Sequence, residues 1–166
     1  VKLFRQNYDC FEWIKAKYPG CRFVFLTLTV RNVPIESLAS RLVDMSAAWN
    51  RFTQRRDFKA LGLLGWLRVL EVTRNAYTGT YHPHFHVVLV APSGCWLPDH
   101  SWWLRCWQLA ARDESIMFVN LRVLDGSKSS IKEVSKYVVK DSDFAGSAWV
   151  SEFPELYKAF ACVGFH

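Results

Sequence analysis

Three of the five histidines fall in one short run, His82-Pro83-His84-Phe85-His86. If residues 81–91 form a strand, alternation sends His82, His84 and His86 to one face and Tyr81, Phe85, Val87 and Leu89 to the other. Imidazoles two residues apart on a strand can converge on one divalent cation, and packing alone is a poor explanation for three of them on one face of an apolar strand. A carboxylate ligand is expected from the preceding apolar run. Glu71 stands between Leu70 and Val72, where an unpaired carboxylate is costly unless a cation or hydrogen bonds compensate it. The alternative is an exposed strand glutamate, or a partner for Arg68 or Arg74. A set of His, His and carboxylate does not name its metal. It serves zinc hydrolases and non-haem iron oxygenases, and with open water positions it admits Mn²⁺ or Mg²⁺.

A second group lies on a predicted helix from about Ser129 to Lys140. Ile131, Val134, Ser135 and Val138 form its inward stripe, while Glu133, Lys136, Tyr137 and Lys140 share the opposite face. A tyrosine placed for packing would join the apolar stripe, and this one joins the charged face. The phenol could act as a nucleophile, Glu133 could handle protons, and the lysines could lower the phenol pKa or hold phosphate. The same spacings also describe ordinary solvated helix pairs.

The remaining elements must bring these groups together. Leu3, Phe4, Phe11, Ile14 and Tyr18 recur at helical spacing over residues 2–18, and Pro19-Gly20 stops them. Arg22 to Val30 reads as a buried strand, and Pro34 opens a helix that continues through Leu38, Leu42, Met45 and Trp49 to about Phe52. Strands over 66–74 and 81–91, joined by the turn chemistry of Asn75 to Thr80, suggest an antiparallel hairpin. Asp99 caps a Trp-rich helix to about Ala111, Met117 to Leu124 is a further strand, and a last helix is expected near 152–162. The order predicts an α+β fold, with one central antiparallel sheet of about four to five strands and helices packed on it.

Size and composition set the outer limits. The 166 residues suit one domain over 1–166, and a first residue of Val rather than Met suits a piece excised from a longer protein. With 51% hydrophobic and 16% aromatic residues a sizeable core can form. The net charge of +6 favours a polyanionic partner. The five cysteines are scattered without a Cys-x-x-Cys pair, which argues against a disulfide framework or a structural zinc knuckle. No uncharged apolar run approaches a membrane span, so no membrane partner and a cytoplasmic location are expected.

Three segments, in order, resemble the motifs of rolling-circle plasmid replication initiators of the HUH endonuclease superfamily, in its single-tyrosine branch. They are Phe25-Leu-Thr-Leu-Thr-Val30, Tyr81-His-Pro-His-Phe-His-Val-Val88 and Glu133-Val-Ser-Lys-Tyr-Val-Val-Lys140. The resemblance runs from about residue 22 to 143 and takes in Gly65 to Glu71. It implies a bacterial or archaeal plasmid setting and site-specific nicking of single-stranded origin DNA. His84, His86 and Glu71 would be metal ligands, with His82 as an extra histidine that ligates or only flanks. The metal would be Mn²⁺ or Mg²⁺. Tyr137 would attack and keep the 5′-phosphate, Glu133 would activate water for a terminating hydrolysis, and Lys140 matches the lysine that follows the tyrosine. A host or fused helicase and a DNA polymerase are the implied partners. The Cys/His cluster that precedes the first motif in many such initiators is absent here.

DNA contacts are expected from Arg51, Arg55, Arg56 and Lys59, clustered where the second helix ends, with Arg74 and Lys136 nearer the site. A solvated helix end would carry the same cations. Trp103 and Trp107, four residues apart, are expected in the core. Three other functions fit parts of the pattern: an HUH transposase or relaxase, a non-catalytic nucleic-acid-binding α+β module, and a metal oxygenase or hydrolase of small substrates.

Overall fold

The run Arg22–Thr29 is apolar on both faces, so it is stable only with protein packed above and below it. In the computed structural model, which describes residues 2–125 and 127, it forms the inner strand β1 (Arg22–Thr29). The other strands are β2 (Gly65–Arg74), β3 (Tyr81–Ala91) and β4 (Val119–Leu124), and the four lie in the order β2-β3-β1-β4. Every pairing is antiparallel. The helices are α1 (Lys2–Lys17), α2 (Leu38–Gln54), the short α3 (Arg56–Lys59) and α4 (His100–Ala111). The fold is α+β, and the described residues supply four strands where about four to five are expected.

Alternation along the strands divides the sheet into two unlike faces. Val24, Leu26 and Leu28 of β1 and Phe85, Val87 and Leu89 of β3 point to one side, where Met45, Trp49 and Phe52 of α2 and Trp103 and Trp107 of α4 complete the main core. Both of these α4 tryptophans are fully buried, and each indole keeps a hydrogen bond. Nε1 of Trp107 donates to the Thr29 carbonyl at 2.7 Å, and Nε1 of Trp103 donates to the Pro98 carbonyl at 3.2 Å. The Trp107 bond fastens α4 to the end of β1. On the other side Phe11 of α1 meets Phe23 edge-on at 4.7 Å, within a smaller cluster that includes Phe25, Val88, Val90 and Leu124.

Loop chemistry fixes the strand register. Asn75 closes the β2–β3 link by donating from its backbone to the Thr80 carbonyl at 2.8 Å, while its side-chain oxygen accepts from the Tyr77 and Thr78 amides. Gly79 takes a left-handed φ of +68° there. Gly20, after α1, is equally constrained: its φ is +75°, and a Cβ would approach Ser93 Oγ to 2.9 Å.

The clearest boundary differences from expectation lie at α2 and β4. Pro34 precedes a 3₁₀ turn, Ile35–Ser37, and α2 begins only at Leu38. The helical segment extends past Phe52 to Gln54 and resumes as α3. β4 starts at Val119, because Met117 and Phe118 are exposed and lie outside the ladder. The helices expected near 129–140 and 152–162 lie outside the described residues.

Leu26 has no exposed surface and sits between both layers of the main core. Leu26→Ala should lower the unfolding free energy in urea titration by about 2–5 kcal/mol. A loss below about 1 kcal/mol would contradict this account of the core.

Candidate metal centre

The hairpin register sets the site. Glu71 lies directly opposite His84, Val69 opposite His86 and Thr73 opposite His82. Directly opposed residues share a face, so Glu71 and the histidines project from the side of the sheet that carries α1, away from α2 and α4. Nε2 of His84 lies 2.6 Å and Nε2 of His86 2.7 Å from the same Glu71 oxygen, Oε2. His84 and His86 are buried, and the Glu71 side chain retains only 10% of its exposure.

A carboxylate in so dry a position needs compensation. Here it comes from both imidazoles, either by hydrogen bonds or through a cation shared with them. One donor atom from each of Glu71, His84 and His86 lies within 4.8 Å of the others. Two nitrogens and a carboxylate oxygen on one side suit a divalent ion that keeps open positions for water or substrate. The residues therefore fit the metal that the sequence implies.

His86 is the more firmly held of the two histidines. Its ring stacks on Phe25 of β1, centroids 5.5 Å apart and planes within 7°, and its Nδ1 lies 3.2 Å from Thr27 Oγ1. His84 stands edge-on between His82 and His86, at 5.2 and 4.8 Å, and its buried Nδ1 has no hydrogen-bond partner among the described residues.

The predicted site residues separate into distinct places. Glu71, His84 and His86 converge, and His82 does not join them. Burial first, and then the His84 imidazole, push the His82 pKa below the ordinary histidine value. Arg68 is no partner for Glu71, because it lies over the Phe85 and Trp49 rings on the helix-covered face. Arg74 pairs in register with Tyr81, on the face opposite Glu71.

Arg51, Arg55, Arg56 and Lys59 sit on α2, the residue after it and α3, behind the sheet from the histidines. Arg51 donates to the Ala110 carbonyl at 2.6 Å, Arg55 makes a forked pair with Asp57 at 2.8 and 3.0 Å, and Lys59 reaches Gln54. The Arg55 hydrogen bond holds the Asp57 carboxyl below its ordinary pKa. Tyr137, Glu133, Lys136 and Lys140 lie outside the described residues. Thr27 and Phe25 were missed as site residues. Their signal was the alternation that puts them on one face of β1, but the β1–β3 register is needed to place them beside His86.

The model for the replication protein family matches residues 1–162. The chain belongs to this family. It is 30% identical to a Protein rep of Bacillus amyloliquefaciens, over 92% of this chain and 50% of that protein. It is 34% identical to a Protein rep of Streptococcus pneumoniae, over 78% and 43%. A Replication protein of Staphylococcus aureus is 33% identical, over 80% of this chain and 61% of its own length. The chain thus spans about half the length of the curated relatives it matches. No solved structure matches it significantly. Among the described residues no helix is long and apolar enough to cross a membrane.

The Rep-family chain should bind Mn²⁺ through three side chains and not through His82. Titration followed by electron paramagnetic resonance of free Mn²⁺ should show His84→Ala and His86→Ala each weakening binding by more than about tenfold, the lower bound for losing even an outer-shell partner. His82→Ala should stay within about tenfold of the parent, and a loss as large as that of His84→Ala would restore His82 as a ligand.

Proposed function

We propose that this chain is a metal-dependent endonuclease that nicks single-stranded plasmid origin DNA to start rolling-circle replication, holding the cleaved 5′ end covalently. One observation carries the reading: a buried Glu71–His84–His86 cluster in a member of the replication protein family. A bound Mn²⁺ or Mg²⁺ would polarise the scissile phosphate rather than supply hydroxide. Glu71, His84 and His86 would hold that ion, on a sheet stiff enough to fix where the phosphate sits.

The phenol oxygen of Tyr137 attacks phosphorus, and the bond from phosphorus to the 3′ oxygen breaks. The 5′ phosphate stays on Tyr137, while the 3′ oxygen takes up a proton and leaves as a hydroxyl that can prime synthesis. Lys136 and Lys140 favour the phenolate and hold phosphate oxygens. Glu133 takes the proton from a water that later hydrolyses the phosphotyrosine, ending the cycle without a second tyrosine. Because Arg51, Arg55 and Lys59 each already hold an internal hydrogen bond, DNA-backbone contacts behind the sheet fall first to Arg56. A helicase and a polymerase would act on the opened strand.

With Mn²⁺ and single-stranded origin DNA, a denaturing gel should show a protein–DNA adduct that EDTA abolishes and Tyr137→Phe eliminates. An adduct that survives Tyr137→Phe would remove Tyr137 as the nucleophile. Glu133→Ala should still form the adduct yet release it more slowly. Loss of the first cleavage in that variant would overturn the hydrolytic role of Glu133.

A further inference from the structure

We infer that Thr27 is a positioning residue for the metal centre, acting through His86. β1 pairs with β3 so that Thr27 lies directly opposite His86, on the same face of the sheet. Its hydroxyl is 3.2 Å from His86 Nδ1, the ring nitrogen that points away from Glu71. For His86 to offer the Nε2 lone pair to a cation, its proton must reside on Nδ1, and there it needs an acceptor. The Thr27 oxygen is that acceptor.

The neighbouring Phe25 ring, stacked within 7° of the imidazole plane, restricts ring rotation, so the hydroxyl mainly supplies the acceptor for Nδ1–H that ligation through Nε2 requires. His84 lacks any such arrangement among the described residues, where its buried Nδ1 has no hydrogen-bond partner. The centre is therefore asymmetric: His86 is oriented in advance, and His84 completes the site.

A hydroxyl suits this role in a way that a carboxylate would not. It accepts from Nδ1–H when a cation occupies the Nε2 side. It can turn to donate to Nδ1 when Nε2–H is donating to Glu71 instead. The cluster is thus satisfied at His86 in both states, with no charge added to the centre.

This inference rests on the metal reading of the Glu71–His84–His86 cluster, and the test separates the two. Mn²⁺ binding to the whole 166-residue chain is measured by paramagnetic resonance, beside thermal melting of the metal-free chains, for the parent, Thr27→Val and Thr27→Ser. Valine keeps the β-branched shape and removes the hydroxyl, whereas serine keeps the hydroxyl. Thr27→Val is expected to weaken Mn²⁺ binding by about 10–100-fold, and Thr27→Ser to recover most of that affinity. A Thr27→Val chain that binds as the parent does, or a Thr27→Ser chain as weak as Thr27→Val, overturns the role of Thr27 and leaves the metal reading standing. A parent chain that takes up no Mn²⁺ overturns both.

Discussion

The structure depends on the register of one hairpin. With Glu71 opposite His84, a single carboxylate oxygen comes within 2.6 and 2.7 Å of two imidazoles. Strand side chains alternate, so a slip of one residue would turn Glu71 into the apolar core and strand the histidines without it. Two features prevent the slip. The Asn75–Thr80 link closes on itself through the Asn75 side chain, and Phe85, Val87 and Leu89 are locked into the core from behind. The polar cluster and the hydrophobic core are thus two consequences of one alignment.

The two faces of the sheet divide the labour. The side covered by α2 and α4 holds the large aromatic core and accounts for most of the stability. The other side is covered by the smaller α1 cluster at the Phe23 and Val90 end, and carries Glu71, His84 and His86 further along the same strands. A ligand set mounted on paired strands is held more rigidly than one on loops, which suits a task where a phosphate must be placed accurately.

Much of this was legible in the sequence because it is local. The bounds of β3, the strand pair around Asn75–Thr80, the division of its residues between faces and the pairing of Glu71 with the histidines all follow from alternation and turn chemistry. The burial of Trp103 and Trp107 follows from helical spacing. What was not legible is non-local. That β1 inserts beside β3, and so brings Thr27 and Phe25 against His86, depends on a pairing separated in sequence by α2, α3 and β2. The Arg51–Lys59 group reads as a DNA-binding surface because its charge is visible in sequence, whereas the side of the sheet it occupies is not. His82 shares the histidine face yet lies outside the group formed by Glu71, His84 and His86, which no spacing rule reveals.

The chain belongs to the replication protein family and carries the Glu71–His84–His86 cluster on its hairpin. The central claim is that this cluster holds a metal ion. It is tested most directly by anomalous X-ray scattering from crystals of the chain grown with Mn²⁺. One strong peak is expected within coordination distance of Glu71 Oε2 and of Nε2 of both His84 and His86. A map with no peak among those three atoms, the Glu71 carboxylate remaining hydrogen-bonded to both imidazoles, would contradict it.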